Sequence, residues 1–145
     1  WFENRGIGRP VESSISASAE LIFGWLDAAA SGFSSVVLLG FSGGTAMGGG
    51  LLLREPERFA GSVLLSGTLP WGAGFDTSTG RLAGRPVFFG YDPADAVIPP
   101  ELIRRSVTWL REESGATLSE HTYPGLAHSI SDEELTAIAR FVAEV

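Results

Sequence analysis

Val36-Val37-Leu38-Leu39-Gly40-Phe41-Ser42-Gly43-Gly44 is an apolar run that ends in G-x-S-x-G. A strand feeding that spacing puts Ser42 at the tip of a sharp strand-to-helix turn, with its hydroxyl lifted clear of the backbone. The turn drives the chain back onto itself, so the spacing predicts that Gly40 and Gly44 must both lack side chains. Strain of this kind is kept where chemistry needs it, and the first expectation is a serine hydrolase. A glycine-rich loop that cradles phosphate instead requires Lys followed by Ser or Thr, or G-x-G-x-x-G. The chain has no Lys and no such spacing.

Around this stretch, helical and strand patterns alternate, the mark of a parallel sheet covered by helices. From Ser14 to Ala30 the apolar residues Ile15, Ala19, Ile22, Leu26 and Ala29 recur at helical spacing. A strand over Ser35 to Leu39 leads into a helix that opens at Ser42 and carries Gly48, Gly49 and Gly50. Each glycine costs about 1 kcal/mol against Ala in a free helix, so they are read as sites of close helix–sheet contact. Further strands are expected at Ser62–Leu65, Pro86–Phe89 and Thr117–Tyr123. Between them, Pro99-Pro100 starts a helix with Ile103, Val107 and Leu110 on one face, and Gly115 closes it. Ser131 and Glu134 have the spacing of a capping box at the head of the last helix, whose buried stripe is expected to be Leu135, Ile138 and Val142.

Composition narrows the function. The 145 residues make one domain with room for a core. A net charge of −7, with ten scattered Arg as the only basic side chains besides His, argues against a nucleic-acid surface, because phosphate contacts need clustered cations. With no Cys there is no thiolate metal site, disulfide or cysteine nucleophile. No apolar run approaches the roughly 18 residues of a membrane span. A cytoplasmic protein is the simplest expectation. The chain opens on Trp1-Phe2-Glu3 rather than Met, which predicts a further segment upstream and leaves a lost signal peptide open.

A serine hydroxyl needs a base within hydrogen-bond reach. Of the two histidines, His121 lies inside the fourth strand pattern, whereas His128 follows that strand in a loop. That loop leaves the C-terminal edge of the sheet, where Ser42 also lies and where open parallel sheets bind ligands. The base in turn needs a carboxylate to fix its tautomer. Asp92 and Asp95 both follow the third strand at the same edge. Ser, then Asp, then His is the chain order of α/β hydrolases.

These residues, with their neighbours, resemble the phospholipase/carboxylesterase family of α/β hydrolases, which includes acyl-protein thioesterases. The resemblance rests on Trp1-Phe2-Glu3, Gly40-Phe41-Ser42-Gly43-Gly44, Leu65-Ser66-Gly67-Thr68-Leu69-Pro70, Asp95-Ala96-Val97-Ile98-Pro99 and Tyr123-Pro124-Gly125-Leu126-Ala127-His128-Ser129. It implies the α/β-hydrolase fold, a mostly parallel sheet with helices on both faces. It also implies Ser42 as nucleophile, His128 as base and Asp95 as acid, since only Asp95 carries the V-I-P tail. Gly43 stands where the family usually has Gln, but its main-chain N–H still serves as one oxyanion donor. The family's first strands and its H-G-x-G-like loop have no counterpart, so residues 1–145 are expected to be the C-terminal two-thirds of a single domain. A missing N-terminal segment or a second chain is then expected to complete the sheet, because the nucleophile strand would otherwise be an unpaired apolar edge.

The expected reaction is two-step hydrolysis of a carboxylic ester or thioester, a small-molecule substrate, with no metal or other cofactor. Leu69, Trp71 and Phe75, in the loop after the second strand, either line an acyl pocket or simply cover the sheet. The contrasting class is a non-catalytic hydrolase-like binding domain or inactive fragment, which has no need of an intact Ser–Asp–His set.

Overall fold

Nine apolar residues of the strands are enough to explain the layering. In a computed structural model that describes residues 1–145, Leu64, Val87 and Phe89 point to one face of the sheet and Val63, Leu65 and Phe88 to the other. The partly buried Leu38, Leu118 and Val37 extend the same alternation onto the outer strands. The elements are α1 (Glu12–Ala29), β1 (Val37–Phe41), α2 (Gly43–Arg54), β2 (Gly61–Leu65), β3 (Pro86–Tyr91), α3 (Pro100–Glu112), β4 (Thr117–Thr122) and α4 (Asp132–Glu144). The strands pair in the order β1-β2-β3-β4, all parallel. Every strand therefore ends at the same edge, and the loops that follow them converge there.

Helices α1, α2 and α3 cover one face with the larger core, to which they contribute Phe23, Leu52 and Leu110. On the other face lies α4 alone, through Ile138 and Phe141. Its buried stripe is Glu134, Ile138 and Phe141, one residue round from the expected Leu135–Ile138–Val142; Leu135 and Val142 are exposed. The cause is a polar residue in an inside position. Glu134 has no exposed surface, and its carboxylate lies where a Cβ on Gly90 would be, 2.2 Å from Oε1. Only half of the capping box forms: Ser131 Oγ accepts the Glu134 N–H at 3.1 Å, while neither Glu134 oxygen has a hydrogen-bond partner.

Two further expectations are refined. The nucleophile strand is shifted two residues along, to Val37–Phe41, so that Phe41 as well as Gly40 belongs to the ladder with β2. Of the three helix glycines, Gly48 faces the sheet side chains Leu38 and Leu64, but Gly49 and Gly50 make room for Leu69 and Phe75. Those two glycines thus admit the long loop after β2, not the sheet. No helix is long and apolar enough to cross a membrane.

Candidate active site

The turn between β1 and α2 forces Ser42 to φ 56° and ψ −117°, a conformation an L-residue holds only when its surroundings over-determine it. The surroundings are identifiable. Ser42 N–H donates to Leu65 O at 3.0 Å, tying the elbow to the end of β2. Beneath it the buried Thr45 hydroxyl lies 2.6 Å from Leu65 O and 3.0 Å from Gly40 O, and accepts the Leu65 N–H at 3.1 Å. A Cβ on Gly40 would stand 2.3 Å from Gly44 O, so the first glycine of the motif is obligatory. The second is not: a Cβ on Gly44 meets nothing within 4 Å. Gly44 borders an open groove beside β1 with Leu39 and Phe41, which is why the double requirement expected from the spacing reduces to one.

From this platform Ser42 Oγ lies 2.8 Å from His128 Nε2. The other ring nitrogen, Nδ1, lies 2.8 Å from Asp95 Oδ2. An ionised carboxylate can only accept, so the ring proton sits on Nδ1 and Nε2 is free to accept from the serine. Phe41 packs beside the ring at 4.9 Å between centroids. Asp95 is buried, and burial alone would push its carboxyl up. The bond from His128 and the N–H groups of Val97 and Ile98, at 2.7 and 3.1 Å, outweigh that and hold it below its ordinary value. The arrangement can move a proton from Ser42 onto the ring while Asp95 keeps the ring oriented.

Gly43 is the first residue of α2, where backbone N–H groups have no partner within the helix. Gly43 thus brings a main-chain N–H with no helical partner one residue after Ser42.

The remaining candidates fall elsewhere. Asp92, the alternative acid, hydrogen-bonds to neither Ser42 nor His128; its carboxylate accepts from Ala94 N and Ala127 N. His121 is stacked on Phe88 at 4.5 Å and pairs with Ser119 Oγ, a strand residue as its position in the pattern suggests. Leu69 has no exposed surface and so lines no open pocket. Trp71 hangs its Nε1–H on Ser106 Oγ at 3.1 Å, and Phe75 sits over Gly50 in a hollow with Leu53 and Arg54. That hollow is at the far end of α2 from Ser42, and Leu69 and Phe75 pack against α2 at Gly49 and Gly50. Sequence reading missed Thr45, whose only signal is a hydroxyl three residues after the nucleophile.

The chain is similar to several known proteins. The chain is 27% identical to the carboxylesterase SOBER1 of Arabidopsis thaliana over 141 residues, which cover 94% of this chain and 61% of that protein. Acyl-protein thioesterase 1 of Candida albicans is 28% identical over 122 residues, 76% of this chain and 49% of that one. The chain thus spans about half to three-fifths of the length of these curated relatives. Among solved structures, a carboxylesterase from Mesorhizobium loti superposes with a TM-score of 0.85 at 23% identity, over 100% of this chain and 68% of that one. The Bacillus cereus carboxylesterase gives 0.83 at 21%, over 99% and 68%. These likenesses establish the α/β-hydrolase fold. With the phospholipase/carboxylesterase family model matching residues 2–145, the chain belongs to that family.

Proposed function

We propose that this chain carries the catalytic triad of a serine carboxylesterase that hydrolyses carboxylic esters or thioesters through an acyl-enzyme. Ser42 attacks the carbonyl, His128 takes its proton, Asp95 stabilises the imidazolium, and the Gly43 N–H receives the oxyanion. Water activated by His128 then releases the acid. One observation carries the reading: the unbroken hydrogen-bonded line from Ser42 Oγ through both ring nitrogens to a buried carboxylate. The names of the relatives point to the same substrates.

The reading also needs something on the outer side of β1. Trp25, Phe33 and Leu39 are 65%, 73% and 56% exposed there, around an apolar groove of about 470 Å³. An unpaired strand beside such a patch is a template for association. We take residues 1–145 as the C-terminal two-thirds of one hydrolase domain, with a strand from an N-terminal segment or a second chain pairing along β1 and bringing the second oxyanion donor. Losing one such donor costs about 2.7–4 kcal/mol of transition-state stabilisation, so the chain by itself turns over slowly.

The test is turnover of a short-chain p-nitrophenyl ester by the parent protein. Ser42→Ala is expected to abolish it, and unchanged turnover would end the assignment.

A further inference from the structure

Two carboxylates follow β3, three residues apart, and only one of them meets the histidine. The other is buried just as deeply. Asp92 is 1% exposed, and its two oxygens reach into two different loops. Oδ1 accepts the Ala94 N–H at 2.8 Å, and Asp92 O accepts the Asp95 N–H at 3.1 Å, a turn that presents Asp95. Oδ2 accepts the N–H of Ala127, 35 residues away, at 2.7 Å. Ala127 is the residue before the base, and it is held at φ 60°, a left-handed conformation alanine adopts only under constraint. Asp92 is the one group that engages its N–H. Gly125, at φ 85°, also turns its N–H toward the carboxylate.

We propose that Asp92 is a positioning residue: its carboxylate clamps the loop that bears His128 onto the turn that bears Asp95. The proposal rests on the triad reading and deepens it. One carboxylate holds the ring and the other holds the loop, so the 2.8 Å spacing on both sides of the imidazole is set before substrate arrives. The donors are all main chain, so they carry no charge that competes with His128 for Asp95. They also hold the Asp92 carboxyl below its ordinary value, against burial and the neighbouring Asp95, so the clamp is ionised and its bonds charge-assisted. An error of about 1 Å in a catalytic group costs about 100-fold in rate, which sets the scale of what the clamp protects.

The experiment compares Asp92→Asn with wild type and with Ser42→Ala in the parent protein, using p-nitrophenyl acetate turnover, amide hydrogen exchange at Ala127 and thermal melting. Asparagine keeps the shape but offers one acceptor in place of two. The expected result is a kcat about 10- to 100-fold lower, KM within about twofold, a melting temperature close to wild type, and exchange at Ala127 accelerated at least about tenfold, as expected for loss of a charge-assisted bond. Unchanged kcat, or unchanged protection of Ala127, would overturn the clamp. So would an equal fall in melting temperature and in activity with no kcat–KM split, which is what a merely structural carboxylate gives. If Ser42→Ala keeps full turnover, the esterase reading fails and the clamp's catalytic role fails with it. Loss in Ser42→Ala with normal kcat in Asp92→Asn defeats the clamp alone.

Discussion

The rim above the strands and the outer flank of β1 are built on opposite terms. At the rim, polar groups are packed tightly and answered: Ser42, His128, Asp95, Asp92 and Thr45 all have hydrogen-bond partners, and three of them are buried. On the flank, apolar side chains face outward and the ladder of β1 has no neighbour on that side. The difference teaches that the hydrogen-bonded line from Ser42 to Asp95 closes among the loops at this edge, whereas the outer edge of β1 is open. Changes at the rim should therefore act on chemistry, and changes on the flank on association.

The largest expected break is at the acid. Asp95→Asn leaves the shape intact but inverts the donor pattern at Nδ1, and kcat should fall about 10⁴-fold, measured on a p-nitrophenyl ester. A fall of tenfold or less would mean that the rim tolerates a misassigned tautomer, and the contrast with the flank would blur. Next comes the elbow. Gly40→Ala drives a methyl to within 2.3 Å of Gly44 O, a backbone atom that cannot step aside, and should cost about 3 kcal/mol or more by overpacking. Gly44→Ala meets open space at a helical position and should be neutral or stabilise by up to about 1 kcal/mol. Urea unfolding of the pair reads the difference directly. Equal costs would show that the two glycines are alike after all.

A third test sharpens the rim from below. Burial pushes the Glu134 carboxyl up from its ordinary value of 4.5. A carboxyl raised in the folded state contributes its full stability below the unfolded value, and that contribution is lost as pH climbs toward the folded one. Glu134→Gln should therefore match wild type or fall below it near pH 4 and become the more stable protein above pH 7, by about 1–2 kcal/mol. Parallel stability curves for the two proteins would contradict a carboxyl raised by burial. The smallest effect is reserved for the flank. Leu39→Lys, on a side chain 56% exposed, should leave the reactivity of Ser42 within about twofold and reduce self-association in light scattering, because edge charges block strand pairing.

Much of the rim was legible because its chemistry depends on residue types that the fold delivers to one edge. Ser42, Asp95 and His128 each follow a strand, and parallel strands bring their successors together whatever the loops do. What lay outside sequence logic was decided by contacts across the fold. The α4 stripe was misread because Glu134, a charged residue by type, occupies an inside position beneath Gly90, and no periodicity argument places a carboxylate in a core. Gly49 and Gly50 looked like helix–sheet contacts, but the partners came from a loop whose path has no sequence signature. Asp92 was visible only as a rival of Asp95. Its bond to a backbone N–H 35 residues away carries no side-chain code at the other end.

The account stands on His128 activating Ser42, and rates of fluorophosphonate labelling measure that directly, followed by peptide mass spectrometry of the modified protein. The expected result is a single adduct on Ser42, with His128→Ala slowing its formation at least about 10³-fold. An adduct on any other residue, or labelling of Ser42 at the wild-type rate in His128→Ala, would contradict it.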